Sequence, residues 1–256
     1  MQYFIVTSTV IDIYSEPRFT SAVVTQSLFG ESNFILSERE NWFKIRLWDG
    51  YEGWAHGFYG FRSDSQYDSN LLTTNLYDII RNEKGNIIKQ LVFGSSVKID
   101  DDKIILPDES IGYFKRSKPE VQVQGTTRDK IIGQAQKFLG IPYKWGGRSS
   151  FGLDCSGLVQ TVFRAVGLDI PRDSYQQSDF LGEKTVEINF LDKGDLIFFA
   201  DGSKITHVAI SLGGPNFIHS QGEVKINSLS IESNNFSKKL SEMNVSGKSI
   251  NSMLIK

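Results

Sequence analysis

The sequence predicts an α+β chain in which two small all-β barrels precede a domain of helices packed on an antiparallel sheet. Three observations predict it. The first 120 residues are rich in aromatics and broken by short polar turns, a texture that suits strands. Near residue 125 the apolar spacing changes from alternation to a helical period. Beyond residue 190 strand-like runs return, separated by Gly, Pro, Asn and Asp. With 39% hydrophobic, 23% charged and 12% aromatic residues over 256 positions, the chain has an ordinary globular composition and can bury real cores.

The first unit is expected over residues 1–62. "YFIVTSTVIDIYS" alternates imperfectly, whereas "WFKIRLW" and "GWAHGFY" flank a turn at Asp49–Gly50 and read as the clearest hairpin. Trp42, Lys44 or Ile45, and Leu47 mark its alternating faces. Residues 63–70, "SDSQYDSN", read as a linker. A second, degenerate β unit is expected over 66–120, with turns at "EKGN" and "DDD" and Pro107 at an edge or turn. The third domain, 125–256, opens with a helix. Threonines cap "TTRDKIIGQAQKFLG", Asp129 suits the first turn, and Ile131, Ile132, Ala135, Phe138 and Leu139 recur at helical spacing until Gly140 and Pro142 stop it. A second helix follows Asp154 as N-cap. Its stripe is Cys155, Leu158, Val159, Val162, Phe163 and Val166, and Gly167 ends it. "GDLIFFA", "ITHVAISLG" and "NFIHSQG" are strand candidates. The tail reads as a loop with a last strand at Ser252–Ile255.

Charge and composition exclude several classes. Net charge is −2, from 28 basic and 30 acidic residues, without a basic stripe, so no nucleic-acid partner is expected. The small cluster "FKRSK" at 114–118 reads as a solvated face or linker. One cysteine excludes an intramolecular disulfide. No run approaches a membrane-spanning length, so no membrane partner is expected. "MQYFIVTSTVIDIYSE" reads as a first strand and not a signal peptide, so a cytoplasmic location is expected.

The lone cysteine carries the chemical question. Cys155 falls in the first turn of the second helix, where unpaired N–H groups and the dipole ease a thiolate. It is also in register with Leu158, Val159 and Val162, so position alone leaves packing and nucleophilic attack open. The chain has three histidines. His207 and His219 lie in apolar strand patterns joined by "LGGPN", which can set their rings side by side. A thiol, a base and a group that orients the base are what cysteine peptidase chemistry needs. A Cys/His/His zinc site is the rival reading, although no paired cysteines or short histidine spacing support it. His56 reads as a satisfied structural histidine.

The blocks "GIPYKWGG", "GLDCSGLVQTVFRAVGLDIPRDSYQQ", "LDKGDLIFF", "ITHVAISLGG" and "NFIHSQG" closely resemble the NlpC/P60 family, papain-like cysteine peptidases of bacterial peptidoglycan, over roughly residues 125–231. The resemblance implies that Cys155 is the nucleophile, His207 the general base and His219 its orienter, with Tyr143 beside the nucleophile and helping the oxyanion site. It also implies substrate-binding roles for Asp154 and Ser156, a cleft lined by Arg172 and Ser174, and a structural role for Asp195. The first 120 residues resemble bacterial SH3 modules, best at "DGYEGWAH". In γ-D-glutamyl-L-diamino acid endopeptidases of the YkfC type, such a module helps select peptides with a free amino-terminal L-alanine. That likeness offers Glu52, Tyr51 and Tyr59 as substrate contacts. It implies a murein-derived substrate, L-Ala-γ-D-Glu followed by diaminopimelate or lysine, and no cofactor or metal. The rival functions are a broader amidase or acyltransferase of the same architecture and a non-catalytic wall-binding protein.

Overall fold

Val10–Tyr14 shows how local pattern becomes structure here: Ile11 and Ile13 are buried while their neighbours are half-exposed, the two-residue period of a strand with one covered face. The computed structural model describes residues 1–114 and 125–254. The chain forms two compact units. The first is Met1–Val121 with Trp145–Phe151, and the second is Gln122–Lys144 with Gly152–Lys256. The basic residues at 115–118 and most of the segment leading to the first helix lie outside the described residues.

The first unit contains two sheets. One is built from β1 (Tyr3–Val6), β2 (Val10–Tyr14), β3 (Val23–Leu28), β4 (Ser32–Arg39), β5 (Trp42–Arg46), β6 (Glu52–His56) and β7 (Gly60–Ser63), in the order β3-β2-β6-β5-β4-β1-β7. The predicted hairpin is β5–β6, and Gly50 takes the positive φ of 83° that its turn requires. Phe4, Val6, Ile11, Ile13, Ile45, Leu47 and Ala55 form its core. The other sheet is built from β8 (Leu71–Leu72), β9 (Tyr77–Arg81), β10 (Ile87–Val92), β11 (Ser96–Asp100), β12 (Lys103–Ile105) and β13 (Ile111–Phe114), in the order β10-β9-β13-β12-β11-β8. Phe29, from the turn after β3, is buried in its core with Ile80, Leu91, Val97, Ile104 and Leu106.

Closed barrels were expected, yet among the described residues both strand orders stay open. In the second sheet the edge strands are β10 and the two-residue β8, which do not pair with each other among the described residues. In the first, the outer edge of β3 is met by β14 (Arg148–Ser149): Arg148 Nε donates to the Gln26 carbonyl at 2.7 Å. The Arg148 guanidinium is buried and paired with Glu31, whose carboxylate also accepts from Ser27 Oγ and the Leu28 amide. A buried pair survives desolvation only when its remaining lone pairs are satisfied, and here they are. Residues 145–151 therefore pack with the β modules, although their place in the chain suggested the third domain.

The second unit is the α+β half. Its elements are α1 (Thr127–Gln136), β15 (Gly152–Leu153), α2 (Cys155–Ala165), α3 (Ser174–Phe180), β16 (Lys193–Asp201), β17 (Lys204–Gly213), β18 (Asn216–Gln221), β19 (Glu223–Ser228), α4 (Lys238–Ser241), β20 (Asn244–Lys248) and α5 (Asn251–Leu254). The antiparallel sheet runs β19-β18-β17-β16-β20. Thr126 and Asp129 form a reciprocal capping box that starts α1. Ile131, Ala135 and Phe138 are buried as expected; Leu139, in the turn after the helix ends at Gln136, is exposed. Leu158, Val159, Val162 and Phe163 of α2 are fully buried, and α2 packs on β17 and β18. The expected last strand at Ser252–Ile255 is not formed: Asn251–Leu254 is helical and Ile255 lies outside the described residues. The sheet edge is instead β20, whose "NVSGK" lacks a clear apolar alternation. Gly247 is required there, because a Cβ would sit 2.6 Å from the Val186 carbonyl oxygen. No described helix is long and apolar enough to cross a membrane.

Candidate active site

Asp154 begins the site. It is the N-cap of α2, and Oδ1 accepts from the Gly157 amide at 2.7 Å, which fixes where the helix starts and so where Cys155 stands. Arg172 holds Asp154 with both ends of its fork, at 2.9 and 2.6 Å, and also donates to Ser156 Oγ at 3.0 Å. Arg172 is 2% exposed, so it stands behind the nucleophile and not in an open cleft. Both Asp154 oxygens are bonded and its charge is offset by the guanidinium, which leaves it little pull on a substrate ammonium. Ser156 is buried, bonded to Asp154 and Arg172, with its carbonyl held by Gln177 Nε2. Ser174 is buried at the first position of α3.

Cys155 is free and 8% exposed, so it is nearly but not wholly sealed. The backbone N–H groups of Val208 and Ser156 are directed at its sulfur, which sets Sγ against the peptide unit joining His207 to Val208. Burial pushes the thiol up to about 11, Asp154 pushes the same way, and the two amides and Arg172 oppose them. The helix-start argument predicted an eased thiolate; burial outweighs it. Tyr143, bridged to Leu153, feels the charge of Cys155 and Asp154, and burial first of all raises its hydroxyl to about 12, so it is a hydrogen-bond donor at neutral pH.

β17 and β18 supply the imidazoles. The register Ile210↔Ile218 and Ser211↔Phe217 puts His207 and His219 on one face of the sheet, with Ala209 and Phe217. His207 Nε2 and His219 Nδ1 are 2.7 Å apart. Burial, then His219 and Lys225, lower His207 to about 3; burial and Lys225 lower His219 to about 4, against a hydrogen bond to Asn227 that raises it. The resting pair is therefore neutral thiol and neutral imidazole. Because Nε2 of His207 is spent on His219, Nδ1 is the nitrogen left for proton transfer. A neutral thiol beside a neutral imidazole can act only by general-base catalysis, in which a sulfur gives up its proton as it adds to a carbonyl. Among the described residues no three His, Cys, Asp or Glu side chains are grouped to hold a metal.

The neutral resting state has a measurable consequence. The thiolate fraction of Cys155 is expected to grow about tenfold per pH unit between about pH 7 and about pH 9. Alkylation by iodoacetamide, followed by intact mass, reads this directly. A rate that has already levelled off near neutral pH, as for a preformed thiolate–imidazolium pair, contradicts it.

The other sequence candidates lie in the first unit. Glu52 on β6 is tied to Arg46 at 2.8 Å and Lys44 at 3.4 Å, and the Arg46 bond chiefly holds its carboxyl below the usual range. Tyr51 is half-buried, its N–H bonded to Asp49 Oδ1. Tyr59 packs on the core of the first sheet, and its carbonyl accepts from Thr7 and Ser8. His56 is a packing residue: it is buried against Trp42, and its Nδ1 accepts the Phe58 amide at 3.2 Å. Sequence reasoning missed Asn227, which bonds His219 at 2.9 Å. β19 was not foreseen as a strand, although "EVKINS" alternates polar and apolar residues.

The chain is similar to known proteins along most of its length. Residues 140–245 match the NlpC/P60 family, and residues 13–56 match the bacterial dipeptidyl-peptidase SH3 domain. A γ-D-glutamyl-L-lysine dipeptidyl-peptidase of Bacillus subtilis is 29% identical over 232 residues, 78% of this chain and 73% of that protein. The protein of the same name from Bacillus cereus is 31% identical over 225 residues, 77% of this chain and 66% of its own length. The crystal structure of an NlpC/P60 family protein from Bacillus cereus superposes with a TM-score of 0.79 at 21% identity, covering 99% of this chain and 100% of that one, which shows a shared fold.

Proposed function

Because the chain belongs to the NlpC/P60 family and carries an SH3-type domain, we propose that it is a cysteine peptidase that cuts the bond between γ-D-glutamate and a diamino acid in peptidoglycan-derived peptides with a free amino-terminal L-alanine. The observation that carries the reading is a buried thiol at a helix start, lying against the His207–Val208 peptide, with His207 paired to His219.

The reaction follows from these groups. Cys155 Sγ adds to the γ-carbonyl carbon while its proton passes to His207 Nδ1. The oxyanion is met by the Cys155 N–H, which has no intrahelical acceptor at the first helix position, and by the Tyr143 hydroxyl. The C–N bond then breaks, and the leaving amine takes the proton from His207. A thioester of L-Ala-γ-D-Glu remains on Cys155. Water adds to it, giving its proton to His207; the thiol leaves with that proton, and the dipeptide is free. The mechanism needs a reduced thiol.

Recognition of the L-alanine ammonium is the specific part of the proposal. Glu52, Tyr51 and Tyr59 on the SH3-type domain are the candidates for it, whereas Asp154 is already neutralised by Arg172. A charge-assisted hydrogen bond in a partly dry pocket is worth about 1.5–3 kcal/mol, so acetylating the amine is expected to lower kcat/KM by about 10-fold to 100-fold. Turnover of free and acetylated L-Ala-γ-D-Glu-L-Lys measures this. Equal rates contradict amine recognition and favour a broader wall amidase.

A further inference from the structure

The pair of imidazoles is symmetric on paper: either ring could donate the hydrogen between them. A third side chain removes that freedom. β19 pairs with β18 at His219↔Lys225 and Phe217↔Asn227, so His219, Lys225 and Asn227 share one face, and Asn227 lies diagonally across from His219. Its amide makes two contacts: Nδ2 to the Asn235 carbonyl at 2.8 Å, and Oδ1 to His219 Nε2 at 2.9 Å.

The polarity then follows without choice. A backbone carbonyl only accepts, so the amide nitrogen of Asn227 must face Asn235 and its oxygen must face His219. That oxygen only accepts, so His219 carries its hydrogen on Nε2. In a neutral ring Nδ1 of His219 is then bare, and the 2.7 Å contact requires His207 Nε2 to donate. A neutral His207 that holds its hydrogen on Nε2 has a bare Nδ1. The anchor is itself fixed. The Asn235 carbonyl also accepts the Ser228 amide at 3.1 Å, Asn235 Nδ2 donates to the Ile226 carbonyl, and the Ser237 amide returns to the Ser228 carbonyl at 2.9 Å. The loop after β19 is thus stapled to the strand that carries Asn227.

We propose that Asn227 is a positioning residue which, held by the Asn235 carbonyl, locks His219 and His207 in the one pair of tautomers that leaves His207 Nδ1 free to take the proton of Cys155. Among the described residues, Lys225 on β19 is the charged side chain that acts on both imidazoles, and His219 acts on His207. The role rests on His207 being the base. The tautomers do not rest on it, so they can be tested apart from activity.

Two measurements suffice. Nitrogen NMR of protein labelled in histidine needs to resolve three rings, and His56, whose Nδ1 accepts the Phe58 amide, serves as an internal reference with a bare Nδ1. At neutral pH the wild type is expected to show bare Nδ1 and protonated Nε2 on His207 and His219. Asn227→Leu is expected to mix the tautomers of His207 and His219 and to lower kcat by about 10-fold to 100-fold with KM little changed. Asn227→Asp, which keeps an accepting oxygen toward His219, is expected to restore most of kcat and to move the acid limb of the pH profile upward. A proton on His207 Nδ1 in the wild type overturns the proposal whatever the activities. So does Asn227→Leu protein with unchanged tautomers and kcat. Correct tautomers in a wild type that cleaves no peptide leave the lock standing and overturn the functional reading instead.

Discussion

Cys155→Ala protein is expected to fold, to bind the proposed tripeptide and to release no dipeptide, a loss on the order of 10⁴-fold or more in kcat. The substitution removes one sulfur from a pocket bounded by the first turn of α2 and the His207–Val208 peptide. The fold loses only the contacts of the Val208 and Ser156 amides with that atom, since Asp154 caps the helix and Leu158, Val159 and Val162 fill the core beneath it. The rate has no second route, because Cys155 is the sole cysteine of the chain and general-base assistance from His207 has no thiol left to act on. Unfolding in urea should match the wild type within about 1 kcal/mol. Dipeptide release at wild-type rate by this variant contradicts the assignment of the nucleophile.

Arg172→Met is expected to be the most damaging change that leaves the reacting groups intact. It deletes the guanidinium that holds both Asp154 oxygens and Ser156, and leaves a carboxylate buried without its counter-charge. Breaking a buried pair in this way costs about 3–5 kcal/mol. The damage converges on the site because Asp154 is also the cap that sets the start of α2, so kcat should fall along with stability. The double variant Asp154→Asn with Arg172→Met removes the stranded charge and keeps an N-cap acceptor, and it should regain most of the stability. Urea midpoints of the two variants measure this. A single variant as stable as the wild type contradicts the claim that the pair holds the helix start.

Much of the site was legible in the sequence, for a reason specific to each residue. Cys155 announced itself as a lone thiol one residue past an N-cap. His207 and His219 stood in apolar strand runs where a solvated histidine has no reason to sit, and the strand connection is short enough to bring them together. What was hidden depends on distant partners or on neighbours of opposite tendency. Arg148 lies 117 residues from Glu31, and no local pattern reports that a loop of the second half of the chain is anchored in the β modules. Open sheets in place of barrels depend on which edge meets which, a tertiary matter. Asn227 lies on a strand with a modest apolar pattern, and its role follows from a carbonyl eight residues further on. The raised thiol was missed because a helix start favours the thiolate while burial, invisible to a one-dimensional reading, works the other way.

The central claim is that the thiol of Cys155, served by His207, opens the amide between γ-D-glutamate and the diamino acid. Mass spectrometry of the products from L-Ala-γ-D-Glu-L-Lys and its diaminopimelate counterpart tests it most directly. Release of the dipeptide L-Ala-γ-D-Glu together with the free diamino acid is the result predicted. Intact substrate after long incubation with the reduced enzyme, or cleavage at the L-Ala amide instead, would contradict it.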